Sequence, residues 1–179
     1  MSDKIKYISV FSQNDFEKKC YKLGLNSFNV NEINADKAFI QIIGTPDSLK
    51  KYLEEDTIHY FNNCDADNVL NLEFDDITEE TFKYNGVLFK GLTDEQAEQI
   101  VDFIEKHKGK DFYISCRAGR SRSVAVARYL LDMYGEEYGY FEKESTKKGN
   151  PILTPNIFVL TKLKRKFYEK NELFIDEDK

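Results

Sequence analysis

The sequence predicts an α/β protein: a single domain with a central, mostly parallel β-sheet flanked by helices. Three observations carry that expectation. Apolar segments of strand length alternate with segments of helical period, the pattern of a sheet covered on both faces. The chain has 179 residues, 41% of them hydrophobic, enough to bury about 70% of the unfolded surface in one core. No internal repeat, Pro- or Gly-rich linker or low-complexity block divides it. Residues 1–170 therefore read as one domain, and 171–179 as an acidic, frayed tail.

The elements follow in order. Residues 4–11 alternate Ile5, Tyr7, Ser9 and Phe11 against Lys6, Ile8 and Val10, a strand apolar on both faces. Asn14 and Asp15 open a helix through Leu23, stopped by Gly24. Residues 38–43 form a second strand closed by Gly44, and a short helix spans 46–53 with Pro46 in its first turn. In residues 69–76, Leu70, Leu72 and Phe74 share one face, which Asp76 continues past the strand end. Residues 77–91 read as loop with some short structure. Thr93 and Gln96 make a capping box for a helix whose stripe is Ala97, Ile100, Val101 and Ile104; His107, Lys108 and Gly109 suit its end. A short strand over 112–115 leads to a central apolar helix over 124–134, ended by Gly135. The last helix, 156–170, turns Leu160, Leu163 and Phe167 inward and Lys162, Arg165 and Lys166 to water.

Composition narrows the function. Lys+Arg 26 against Asp+Glu 32 gives a net charge of -6, a poor footprint for a nucleic-acid partner. No apolar run approaches the ~18 residues that span a bilayer, and the first residues carry no signal-peptide pattern. Three cysteines, an odd number, point to a reducing, cytoplasmic setting. Cys20 reads as packing. Cys64 reads as an ordinary thiol, with a redox partnership to Cys116 as the sharper alternative. No metal is expected: His59 and His107 have no ligand spacing, and Asp65-Ala-Asp67-Asn68 lacks the glycine of a calcium loop. Tyr134, Tyr138, Tyr140 and Phe141 read as packing, with 136–154 as a segment that could border a pocket.

Arginine use singles out one place. Only five of the 26 basic residues are Arg, and four of these are Arg117, Arg120, Arg122 and Arg128. Planar bidentate donors gathered in one window of a Lys-rich chain mark an anion site. The window lies where a strand ends in Cys116 and a helix begins near Arg122. If the intervening residues wrap, their N–H groups converge beside the helix N-terminus. The same field favours a thiolate, Gly119 admits a backbone conformation closed to side chains, and Ser123 brings a hydroxyl near the sulfur. A phosphate held there presents its phosphorus to the sulfur. Its leaving oxygen then needs a proton from another loop, for which Asp76 is the choice and Asp75 the fallback.

Cys116-x5-Arg122-Ser123, with Gly119 and Ser121 inside it, resembles the signature loop of the protein tyrosine phosphatases. The form CRAGRSRS is most similar to the dual-specificity branch and its compact microbial and phage relatives. The segment 70–76 resembles the strand that delivers that family's general acid, and Pro155-Asn156 resembles a segment of the same branch; together the likeness covers roughly residues 65–170. The resemblance implies a phosphocysteine mechanism with neither metal nor cofactor. Cys116 would be the nucleophile, Arg122 the phosphate clamp, Asp76 the acid and then the base, and Ser123 the aid to thiolate departure. Arg117, Ala118, Gly119, Arg120 and Ser121 would bind substrate through their amides. The implied partner is a phosphorylated protein or another phosphomonoester.

Two residues depart from the family pattern. Ser115 stands where the family usually has His, which removes one influence on the thiol. Arg120 stands where many relatives are apolar, and with Arg117 it resembles the phosphoinositide-directed variant of the loop. Phosphoinositide, inositol phosphate or RNA 5′-phosphate substrates are therefore the alternatives within the same chemistry. A phosphate-binding module without turnover is the alternative from another class.

Overall fold

In the computed structural model, which describes residues 6–53, 58–135, 137–138, 142–143 and 154–172, the chain runs as follows. Its first part comprises β1 (Ile8–Ser12), α1 (Gln13–Lys22), α2 (Val30–Ile33), β2 (Lys37–Ile43), α3 (Pro46–Leu53) and β3 (Val69–Glu73). Next come β4 (Thr81–Tyr84), β5 (Val87–Lys90), α4 (Asp94–His107), β6 (Asp111–Cys116), α5 (Arg122–Tyr134), β7 (Glu142–Lys143) and α6 (Ile157–Lys170). Strands β3, β2, β6, β1 and β7 lie in that order in one sheet, and every neighbouring pair is parallel. The expected α/β domain with helices flanking a parallel sheet is the one observed.

Strand alternation divides the core in two. Ala38, Ile40 and Ile42 of β2 and Phe112 and Ile114 of β6 pack with the inner faces of α4, α5 and α6. The intervening residues Phe11, Phe39 and Tyr113 face the other way, onto Phe16 and Cys20 of α1, Val30 of α2, and Phe61. Rings dominate this second layer, edge-on to one another, as for Phe39 and Phe61 at 5.3 Å. Burial pushes the Cys20 thiol up to about 12, so it behaves as an apolar packing group. Cys64 lies against the same cluster and gives its Sγ hydrogen to the Ser27 carbonyl at 3.4 Å.

Local chemistry sets the boundaries. Ser12 caps α1 by accepting from the Asp15 amide, and Gly24 follows with φ +68, in the left-handed region. Thr93 and Gln96 form the reciprocal capping box of α4. Asn156 caps α6 through the Val159 amide. Tyr138 is buried against Phe112, and its hydroxyl accepts from the Gly109 amide and donates to the Lys110 carbonyl. His107 at the end of α4 contacts the Asp67 carbonyl.

Four features differ from the sequence expectation. The first strand begins at Ile8, after a single bridge between Lys6 and Tyr138; residues 4 and 5 lie outside the described residues. The stretch 77–91 holds an antiparallel hairpin, β4–β5, turning at Asn85-Gly86, both with positive φ. The short helix α2 was not expected. Lys162 is not on a wet face: it is 4% exposed. Its Nζ donates to the Leu92 carbonyl and lies 3.5 Å from Glu80 and 3.4 Å from Asp94, over the Phe158 ring. A buried ammonium with those partners holds α6 to the start of α4 and to the hairpin. Tyr140, Phe141, most of 136–154 and the tail 173–179 lie outside the described residues. No helix among the described residues is long and apolar enough to cross a membrane.

Candidate active site

The carboxyl ends of β6 and β3 and the N-terminus of α5 meet at one end of the sheet, where open α/β sheets bind their ligands. Cys116 is the last residue of β6, paired in register with Ser12 of β1. After it the chain folds back onto β1. The Gln13 amide donates to the Arg117 carbonyl, and Gly119 lies flat against the Phe11–Ser12 peptide. A Cβ on Gly119 would stand 2.5 Å from the Phe11 carbonyl carbon, and its φ is +62. Glycine is required here twice, by backbone conformation and by space.

Ser121 occupies the N-cap of α5 but makes no side-chain cap bond. Its hydroxyl donates instead to Asp76 Oδ1 at 2.7 Å. The positive end of α5 therefore has no side-chain oxygen from its own cap. Beside it, Cys116 is 2% exposed, with Sγ 3.0 Å from Ser123 Oγ. Burial alone pushes the thiol up. The Arg122 charge, the Ser123 hydroxyl and the amides of Ser123 and Ser121 outweigh it and hold the thiol below its ordinary value.

Arg122, 7% exposed, is anchored by one nitrogen: Nη1 donates to the Phe74 carbonyl at 2.7 Å. Its buried Nε has no hydrogen-bond partner among the described residues. Leaving such a donor unpaired costs about 1–3 kcal/mol or more. An oxyanion in the cradle would satisfy it.

The two adjacent aspartates have different environments. Asp75 is 4% exposed and fully engaged. Oδ1 accepts from the Thr45 amide and the Ser48 hydroxyl, and Oδ2 from the Thr45 hydroxyl and the Lys90 amide. It ties the entry of α3 to β5. Asp76 is exposed at the loop, and its Oδ1 accepts from Ser121 and from Asn156 Nδ2, each at 2.7 Å.

A cavity of about 440 Å³ opens here, lined by Asp76, Arg117 and Arg122 together with Leu49, Phe82 and Tyr84. A second, of about 560 Å³, adjoins it across Asp76 and is lined by Arg120, Ser121, Thr154 and Ile157. Arg117 and Arg120 thus face different spaces. Ala118 is exposed in the loop, and Arg128 is exposed on α5, outside both cavities. Ser115 is buried on the opposite face of β6 from Cys116, among the residues that face α1, and its Oγ has no partner among the described residues. Neither the hairpin rings nor the side chain of Asn156 belongs to the site read from sequence. The turn pair Asn85-Gly86 was the available signal for the hairpin; Asn156 stood out only through its place in Pro155-Asn156.

No protein-family model matches the chain, and no curated protein sequence matches it. Among solved structures it is similar to the crystal structure of PTPMT1, with 16% identity and a TM-score of 0.45, over 96% of this chain and 95% of that one. Among the described residues, no group of three or more His, Cys, Asp or Glu side chains is arranged to hold a metal ion. The arrangement as it stands offers a sulfur held below its ordinary pKa, the amides of Ser121 and Ser123 beside it, a guanidinium with an unpaired Nε and a carboxyl group on the facing loop.

Proposed function

We propose that the protein is a cysteine-dependent phosphatase of the dual-specificity type. It hydrolyses phosphomonoesters on protein side chains, phosphotyrosine before phosphoserine or phosphothreonine, through a phosphocysteine intermediate and without metal or cofactor. The observation that carries this reading is the buried pair Cys116 and Arg122. A thiol held below its ordinary value stands beside a guanidinium whose buried Nε is unpaired among the described residues. A disulfide-free thiol of this kind suits a reducing, cytoplasmic setting.

In the first step the Cys116 thiolate attacks phosphorus; the S–P bond forms as the bond from phosphorus to the ester oxygen breaks. Arg122 and the amides of residues 117–122 take up the charge on the non-bridging oxygens. Asp76 gives its proton to the leaving oxygen. In the second step Asp76, now a carboxylate, takes a proton from water as that water attacks phosphorus. The S–P bond breaks, inorganic phosphate leaves, and the Ser123 hydroxyl donates to the departing sulfur. Asp76 is the better acid candidate because Asp75 already accepts four hydrogen bonds.

The lining supports an aromatic ester. Leu49, Ile77, Phe82, Tyr84 and Phe89 surround the space beside Arg117 and Arg122, whereas Arg120 faces the other cavity. A densely charged inositol phosphate would meet rings where it needs cations.

The test is hydrolysis of para-nitrophenyl phosphate in excess chelator across about pH 5–8, by wild type and Cys116→Ser in parallel. Turnover that vanishes in the variant is expected, together with a preference for phosphotyrosine peptides over inositol phosphates. Tight binding of a phosphopeptide by wild type without turnover would replace the enzyme with a binding module.

A further inference from the structure

Asn156 is a junction. It is 5% exposed, and every polar group it has is used. Its amide donates to the Ser121 carbonyl, and its carbonyl accepts from Leu160. Oδ1 accepts from the Val159 amide. Nδ2 donates to Asp76 Oδ1 at 2.7 Å and to the Ile77 carbonyl at 3.1 Å. One side chain thus joins the start of α6, the cradle at Ser121 and the loop that carries Asp76, which lies 80 residues away in sequence. Capping α6 needs only Oδ1. The Nδ2 bonds have no part in the cap and are directed wholly at the acid loop.

We propose that Asn156 is a positioning residue for Asp76: with Ser121 it fixes the carboxyl group so that the transferable proton sits on Oδ2. Oδ1 accepts two donors, one from each side, and has no good site left for a proton of its own. Oδ2 is the oxygen free to carry it. The clamp thereby selects one rotamer and one protonated oxygen out of several, and it does so through the helix that closes the fold. The inference rests on the phosphatase reading above. The charged groups around the carboxyl are Arg117, Arg122 and Asp75 along the first cavity and Arg120 along the second.

Two variants separate positioning from capping. Asn156→Ser keeps an N-cap oxygen but is too short to reach Asp76. Asn156→Asp keeps the cap and replaces the Nδ2 donor with a carboxylate oxygen. With Asn156→Ser, turnover of phenyl phosphate should fall roughly 10- to 100-fold. That of para-nitrophenyl phosphate, whose leaving group needs the proton less, should fall less than about threefold. With Asn156→Asp, which keeps the cap but has no Nδ2 donor for Asp76, the same split between the two substrates should appear. Equal losses on both substrates, in either variant that melts like wild type, would overturn the positioning role and leave a capping residue. Absence of Cys116-dependent turnover in wild type would overturn the phosphatase reading itself, and this inference with it.

Discussion

The Ser123 hydroxyl lies 3.0 Å from the Cys116 sulfur, in the first turn of the helix that begins at Arg122. Sulfur buried to this degree would ordinarily be driven to the neutral thiol. The balance is reversed by a charge and a few hydrogen bonds, of which the Ser123 hydroxyl is the easiest to remove without disturbing the fold.

Ser123→Ala should therefore raise the Cys116 pKa. The pH midpoint for alkylation of Cys116 by iodoacetamide, followed by mass spectrometry, should move up from a wild-type value below the ordinary 9.0. The acid limb of kcat/KM should move with it. The sign for stability is that of a depressed acid: the contribution is complete above 9.0 and is lost as pH falls through the folded midpoint. The variant should thus lose more stability at alkaline than at acid pH. A midpoint unchanged within error would mean that Arg122 and the amides alone hold the thiolate.

Asp75 and Asp76 should separate cleanly under the same substitution. Asp75→Asn takes one acceptor oxygen from four donors in a buried site, at a cost of about 2–3 kcal/mol, and should lower Tm by roughly 4–12 °C. Its remaining activity should keep the wild-type dependence on leaving group. Asp76→Asn should melt near wild type and lose on the order of 10²–10⁴ on poor leaving groups, much less on good ones. Thermal melts and a leaving-group series decide the matter, and the reverse pattern would move the acid to Asp75.

That distinction marks where the sequence stops being legible. The strand, the cysteine, the loop and the helix are contiguous over residues 111–134, so local pattern is enough to read them. Asp75 and Asp76 are neighbours of identical chemistry, and what separates them is Thr45 and Ser48, some 30 residues earlier. Periodicity assigns Lys162 to water because it weighs the residue type. The position lies beside Leu163 and Val159, and the Leu92 carbonyl, Glu80 and Asp94 receive its ammonium from other elements. Asn156 reads locally as a helix cap, and it is one; its bond to Asp76 exists only in three dimensions. The hairpin is a different case. Asn85-Gly86 between Phe82, Tyr84, Val87 and Phe89 is a local hairpin signal, and strand length too short to dominate the pattern hid it.

The hairpin bears on substrate choice. Phe82 and Tyr84 are two residues apart on β4 and so share a face; their rings stack at 6.3 Å with planes 11° apart. Phe82 pairs across the hairpin with Phe89, and all three border the cavity that reaches Arg117 and Arg122. Phe82 is 44% and Tyr84 54% exposed, an expensive surface for a fold to leave in water unless an apolar group comes to cover it. An aromatic ester whose ring packs here gains about 0.5–1.5 kcal/mol per aromatic contact. Phe82→Ala or Tyr84→Ala should thus raise KM for a phosphotyrosine peptide by roughly 2- to 10-fold and leave KM for the matching phosphoserine peptide nearly unchanged, with kcat little affected in either case. Steady-state kinetics on the two peptides test this directly. A parallel rise for both would mean that the rings only shape the mouth of the cavity, and that selectivity for the leaving group resides in the loop itself.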